Sequence, residues 1–140
     1  MSTLLSSSRR ALGTIFIWHG LLKRFPGVSP AETLAVMTID ALFFSAIPPG
    51  LSIKLLALWE IAVGLALLSG YYLKAALALF FVHMFCTFTP LVLLPELCFS
   101  HPPFALTLVG QYIVKNVLFI LVGAMIYRDR FPSPSPPTAS

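Results

Sequence analysis

Charge is scarce in this chain. Its 140 residues include nine Lys or Arg and five Asp or Glu, so only 10% of positions are charged. Ordinary globular chains carry about 25%, and a soluble surface cannot be covered with so few. No basic stripe interleaves with aromatics, which argues against a nucleic-acid partner. Cysteine is rare too: Cys86 and Cys98 are the only two, and they form neither CxxC nor any paired metal spacing. They read as small buried apolar residues, with a disulfide across the loop between the third and fourth apolar segments as the alternative. No metal site is expected. A glycine-rich phosphate loop, a nucleophile elbow and HExxH are all missing, which leaves the classical kinase, hydrolase and zinc-enzyme classes without support.

What is present is apolar. Hydrophobic residues make up 58% of the chain and the mean hydropathy is +0.91. The length suits one domain. Four apolar stretches stand out, at 11–24, 51–70, 73–94 and 104–127. Crossing a bilayer takes about 20 apolar residues in a helix, so the first stretch is short. Lys23 and Arg24 are expected to lengthen it by snorkelling to the interface. Arg9 and Arg10 mimic the start of a signal peptide, but Gly20, Lys23 and Arg24 follow instead of a cleavage site. The stretch is therefore read as a retained helix.

Ser29-Pro30-Ala31-Glu32 has the form of a capping box with proline at the first helical position. It predicts a helix over about 29–47, closed by Pro48-Pro49-Gly50. Glu32 and Asp40 make that helix interfacial rather than a fifth span. Tyr71 and Tyr72 suit a head-group belt, and the short turn before Lys74 makes its flanking helices antiparallel neighbours. Pro90 is expected to kink or end the regular bonding of the third stretch. Residues 96–103 read as a loop, and the Pro- and Ser-rich tail, 128–140, as disordered. The fold class is thus all-α: a transmembrane four-helix bundle at 11–127 with an additional interfacial helix between the first and second spans, after an N-terminal segment, 1–10. Arg9, Arg10, Lys74, Arg128 and Arg130 fall at one end. The other end has Lys23, Arg24 and Lys54, offset by Glu32, Asp40 and Glu96. The positive-inside rule then puts both termini in the cytoplasm.

Each stretch also carries polar groups. At a rise of about 1.5 Å per residue, His19 lies about 12 Å in, Glu60 about 15 Å, His83 about 16 Å and Lys115 about 18 Å. Lys23, Thr87 and Gln111 lie slightly outward of that level, and Asn116 lies beside Lys115. These eight residues form a candidate ligand-binding layer, since polar groups in hydrocarbon usually face a bundle interior or a cavity. Glu60 and Lys115 are the expected ion pair. His19 and Lys23, four apart, are expected to share a face, and Gln111 and Asn116 to bond across helices. The same layer also reads as a clasp fixing helix register. His83, within Phe80-Phe81-Val82-His83-Met84-Phe85, equally suits a satisfied core histidine. A quinone needs an apolar slot, one or two donors and a proton route, which the layer can supply. Haem held axially by His19 and His83 has weak support, because it rests on one histidine in each of two helices.

The chain resembles the DoxX-like family of small four-helix membrane proteins. Gly13-Thr14-Ile15-Phe16-Ile17-Trp18-His19-Gly20-Leu21-Leu22-Lys23 and Trp59-Glu60-Ile61-Ala62-Val63-Gly64 carry the likeness. Thr87-Phe88-Thr89-Pro90-Leu91 and Gln111-Tyr112-Ile113-Val114-Lys115-Asn116 extend it, over roughly 9–127. The motifs are short and degenerate, so they speak more to fold than to activity. The resemblance implies a membrane protein linked to redox homeostasis, the family including a subunit of a thiosulfate:quinone oxidoreductase. No catalytic residue set is carried over from it. The expectation is an integral membrane subunit of a quinone-linked electron-transfer complex, located in a bacterial inner membrane. The alternative is a non-catalytic assembly subunit of a larger respiratory or photosynthetic complex, or a homo-oligomer, packed through Gly64, Ala66, Gly70, Gly110, Gly123 and Ala124. A transporter is less favoured, for want of an inverted repeat.

Overall fold

The computed structural model describes residues 3–29 and 31–132. The chain is mostly helical. Its order is α1 Thr3–Leu22, α2 Glu32–Leu42, α3 Pro49–Ser69, α4 Leu73–Phe88, α5 Pro90–Leu93, α6 Pro95–Cys98, β1 Phe99–His101, β2 Ala105–Leu106 and α7 Leu108–Arg130. Three helices are long and apolar enough to cross a membrane: Pro49–Ser69, the α4–α5 rod Leu73–Leu93, and Leu108–Arg130. Integral membrane insertion is the natural consequence. Leu55, Leu58, Leu65, Val82, Phe85, Leu118 and Leu121 are all exposed on these helices, a surface suited to acyl chains rather than water.

Helix α1 starts well before position 11. The Ser8 hydroxyl folds back onto the Leu4 carbonyl at 3.0 Å, and Thr14 does the same to Arg10 at 3.0 Å. Polar side chains that bond their own helix leave its regular turns intact. The helix runs antiparallel along α3, pairing Gly13 with Gly64 and Gly20 with Ala57. A Cβ at Gly64 would stand 2.7 Å from the Gly13 carbonyl oxygen and 2.8 Å from the Ile17 nitrogen, so the two backbones meet without side chains between them.

The expected capping box does not form. Ala31 is the N-cap of α2, without a side-chain cap, and the Glu32 carboxylate instead accepts from the Gly27 N–H at 2.9 Å. Pro30 lies outside the described residues. Helix α2 also ends earlier than expected. Phe44 and Ser45 take positive φ values of 51° and 59°, and Ser45 bonds the Asp40 carboxylate at 3.0 Å. Pro48-Pro49-Gly50 opens α3 rather than closing α2. Pro49 occupies the first turn, where a missing N–H costs nothing. Gly70, at φ 83°, caps α3 in the left-handed region.

Pro90 breaks the third stretch as expected, separating α4 from α5 at Thr89. The loop at 96–103 is more structured than expected: α6 is followed by an antiparallel β1–β2 hairpin. It leads into α7 through Thr107, whose hydroxyl accepts from the Gly110 N–H at 3.2 Å. Helix α7 therefore begins four residues later than the stretch at 104–127 suggested. It continues through 128–130, so those residues of the expected disordered tail are helical; 133–140 lie outside the described residues. The core runs from Leu12 and Phe16 of α1, through Val63 and Leu67 of α3, to Phe80 and Met84 of α4 and Ile126 of α7.

Candidate functional site

Helix α1 buries a single stripe: Arg9, Leu12, Gly13, Phe16 and Gly20. The chain then leaves the helix through tight turns, with Arg24 N–H donating to Leu21 O at 3.0 Å. Lys23 sits at that exit. Because the glycines bring α1 directly against α3, the Lys23 stem reaches the middle of α3. Its ammonium donates to both Glu60 oxygens, at 2.9 Å to Oε1 and 2.7 Å to Oε2. The two side chains are only 4% and 6% exposed. Two full charges are thus enclosed by protein and satisfy each other.

The Glu60–Lys115 pair expected from depth is therefore not formed. Lys115 lies on the exposed side of α7, with its Nζ 4.4 Å from the Tyr112 ring centroid, a cation–π contact within its own helix. Helix α7 packs on α4 through Gly123 against the Phe80 ring, an orientation that turns Lys115 outward. Nor does Lys23 snorkel to the interface; it points inward. His19 and Lys23, although linked by the Lys23 N–H to His19 carbonyl bond of 3.3 Å, differ in burial: Lys23 is enclosed and His19 is exposed. His19 is exposed and its Nδ1 lies 2.8 Å from the Ile15 carbonyl oxygen.

His83 joins the pair from α4. Its Nε2 lies 3.6 Å from Glu60 Oε1, and at 12% exposure its side chain is more open than either charged partner. The Phe16 ring meets the imidazole edge-on, with centroids 5.2 Å apart, and Phe80 packs on Phe16 at 5.3 Å. One turn along α4, the Thr87 hydroxyl donates to the Met84 carbonyl at 2.7 Å and accepts from Asn116 Nδ2 of α7 at 3.3 Å. Asn116 thus bonds across helices as expected, but to Thr87, while Gln111 is exposed.

Of the eight candidates, Lys23, Glu60 and His83 converge, Thr87 and Asn116 form an adjoining bridge, and His19, Gln111 and Lys115 face outward. Sequence reasoning missed Phe16, which walls the histidine, and Arg9. Arg9 is only 8% exposed, and its Nη1 caps the end of α3 by donating to the Leu67 and Leu68 carbonyls. Helical spacing from Arg9 through Gly13, Phe16 and Gly20 to Lys23 was the signal that could have found Arg9 and Phe16.

Cys86 and Cys98 are both free thiols, so the alternative of a disulfide is not realised. Among the described residues, no group of three or more His, Cys, Asp or Glu is placed to hold a metal ion. The glycines at 64, 110 and 123 are each in close contact with other parts of this same chain, so they do not form a free docking face. No family model, characterised protein or solved structure matches the chain.

Proposed function

We propose that the chain is an integral membrane subunit of a quinone-linked redox complex, and that Lys23, Glu60 and His83 form its proton-handling site. The supporting observation is the arrangement itself: a buried ion pair whose carboxylate is met at 3.6 Å by an imidazole that leads toward the α4 surface. A clasp that only fixes helix register has no need of an imidazole aimed at one carboxylate oxygen. Beside His83, the Phe16 ring meets the imidazole at 5.2 Å between centroids, which supplies an apolar wall to the site. A quinone takes up a proton with each electron it accepts. In this reading the electrons come from a partner redox subunit, and protons pass between Glu60 and the quinone oxygen through His83. Helix α1 then serves as the fourth span of a DoxX-like bundle. The basic end of the bundle, with both termini, faces the cytoplasm of a bacterial cell.

Glu60→Gln and His83→Phe test this reading in native membranes. The expected result is loss of quinone-linked electron transfer per folded protein, the comparison being made on folded protein because Glu60→Gln also leaves Lys23 unpaired. Unchanged turnover in both variants rejects it. The second reading, a non-catalytic assembly subunit, is favoured by the bidentate Lys23–Glu60 contact set beside the glycine-packed α1–α3 seam. It predicts that the same variants disrupt complex assembly but leave chemistry unaltered in whatever complex still forms.

A further inference from the structure

We infer that the basic end of the bundle holds the phosphate head group of an anionic phospholipid, in a groove between the start of α4 and the end of α7. The groove is shallow and open, with a volume of about 610 Å³, and Lys74 and Arg130 both line it. Leu73, Ala78 and Phe131 supply an apolar wall along which the first methylenes of an acyl chain can lie. Gly70 forms part of the lining, and the Arg9 guanidinium stands against it: a Cβ there would be 3.1 Å from Arg9 Nη1. Arg9 Nε is buried with no hydrogen-bond partner. A third cation therefore stands behind the groove wall and adds its positive charge from there.

Position favours a lipid over a soluble anion. Leu73 opens one candidate span and Arg130 closes another, so the groove sits at the level where head groups meet the helices. Tyr71 and Tyr72, both exposed, lie beside it, as interfacial aromatics do. The charge at this end is one-sided: Arg9, Arg10, Lys74, Arg128 and Arg130 face Asp129 alone, the other carboxylates lying in the interior or at the opposite end. Basic pockets between membrane helices recognise anionic head groups in this way. The site is independent of the Lys23–Glu60–His83 cluster and of any redox role.

Native mass spectrometry in mild detergent provides the test, with phosphatidylglycerol, phosphatidylcholine and inorganic phosphate as probes. The wild-type chain is expected to retain phosphatidylglycerol about thirtyfold more tightly than phosphatidylcholine, the weight of two cations near a surface. Lys74→Gln/Arg130→Gln is expected to abolish that preference with unchanged circular dichroism. Each single variant loses part of it, which keeps the result readable if the double variant folds poorly. Arg24→Gln/Lys54→Gln, at the opposite end, is expected to keep it. Equal retention of the two lipids by the wild type overturns the proposal, as does full retention by the Lys74/Arg130 variants. Equal loss in the Arg24/Lys54 variant means general charge attraction and overturns it too. Displacement of the lipid by inorganic phosphate assigns the groove to a free anion and likewise overturns the lipid.

Discussion

Replacing Lys23 by methionine removes one partner of a pair whose side chains are 4% and 6% exposed. The four-carbon stem is matched in volume, so packing is nearly conserved and the change is one of charge. Glu60 loses two short contacts, 2.7 and 2.9 Å, and retains only the His83 Nε2 at 3.6 Å. Breaking a buried pair from one side costs about 3–5 kcal/mol, because the remaining charge is uncompensated, whereas replacing both members by apolar residues is often neutral. Lys23→Met is therefore expected to lower the folding free energy by about 3–5 kcal/mol, and Lys23→Met/Glu60→Leu to recover to within about 1 kcal/mol of wild type. Adding His83→Phe to Lys23→Met should deepen the loss, since it removes the imidazole that stands 3.6 Å from the carboxylate. The assay is reversible unfolding in mixed micelles, followed by circular dichroism. If Lys23→Met alone costs less than about 1 kcal/mol, the value of an exposed pair, the enclosed contact does not exist in the folded protein.

Other expectations follow from the same geometry. Lys115→Gln, on the exposed side of α7, should change stability by no more than about 0.5 kcal/mol; a loss as large as that of Lys23→Met would restore the Glu60–Lys115 pairing. Gly64→Ala places a methyl 2.7 Å from the Gly13 carbonyl oxygen and should cost about 1–3 kcal/mol in the same assay, as overpacking does; a neutral result would mean that α1 and α3 stand further apart. Asn116→Leu removes one interhelical bond of 3.3 Å and should cost only about 0.6 kcal/mol, the average for such bonds in membrane proteins. The Cys98 thiol is held above its ordinary range, first by burial and then by the Glu96 carboxylate. Maleimide labelling should therefore reach Cys98 only on unfolding, and any folded-state reactivity should rise at higher pH than for a free thiol. Rapid labelling of Cys98 at neutral pH contradicts its burial.

The three long apolar helices were legible because hydropathy and length alone define them. The antiparallel α3–α4 turn and the break at Pro90 were legible because Gly70 permits a left-handed cap and Pro90 restricts the backbone. The pairing of the charges was not. Depth along an axis says how far a residue lies from the interface but not which way it faces, so it pairs Glu60 with Lys115 and sends Lys23 to the interface. The choice between them rests on the glycine contacts of α1 with α3, which bring one lysine within reach, and on the Gly123–Phe80 contact, which turns the other away. The capping box failed for a similar reason. Glu32 found the Gly27 N–H, offered by a turn whose shape depends on where α1 ends. Proline at 48–49 opens α3 rather than closing α2 because its effect depends on side: it stops a helix that arrives and starts one that leaves.

The most direct measurement is to purify the protein from its native membranes and identify what stays bound, for the wild type and for His83→Phe. A quinone held in the wild type together with a redox partner, and lost in His83→Phe while the partner remains, is the expected result. A folded protein that holds no quinone, within a complex whose electron transfer is indifferent to His83 and Glu60, would contradict the proton-handling site and leave Lys23–Glu60 as a clasp between two helices.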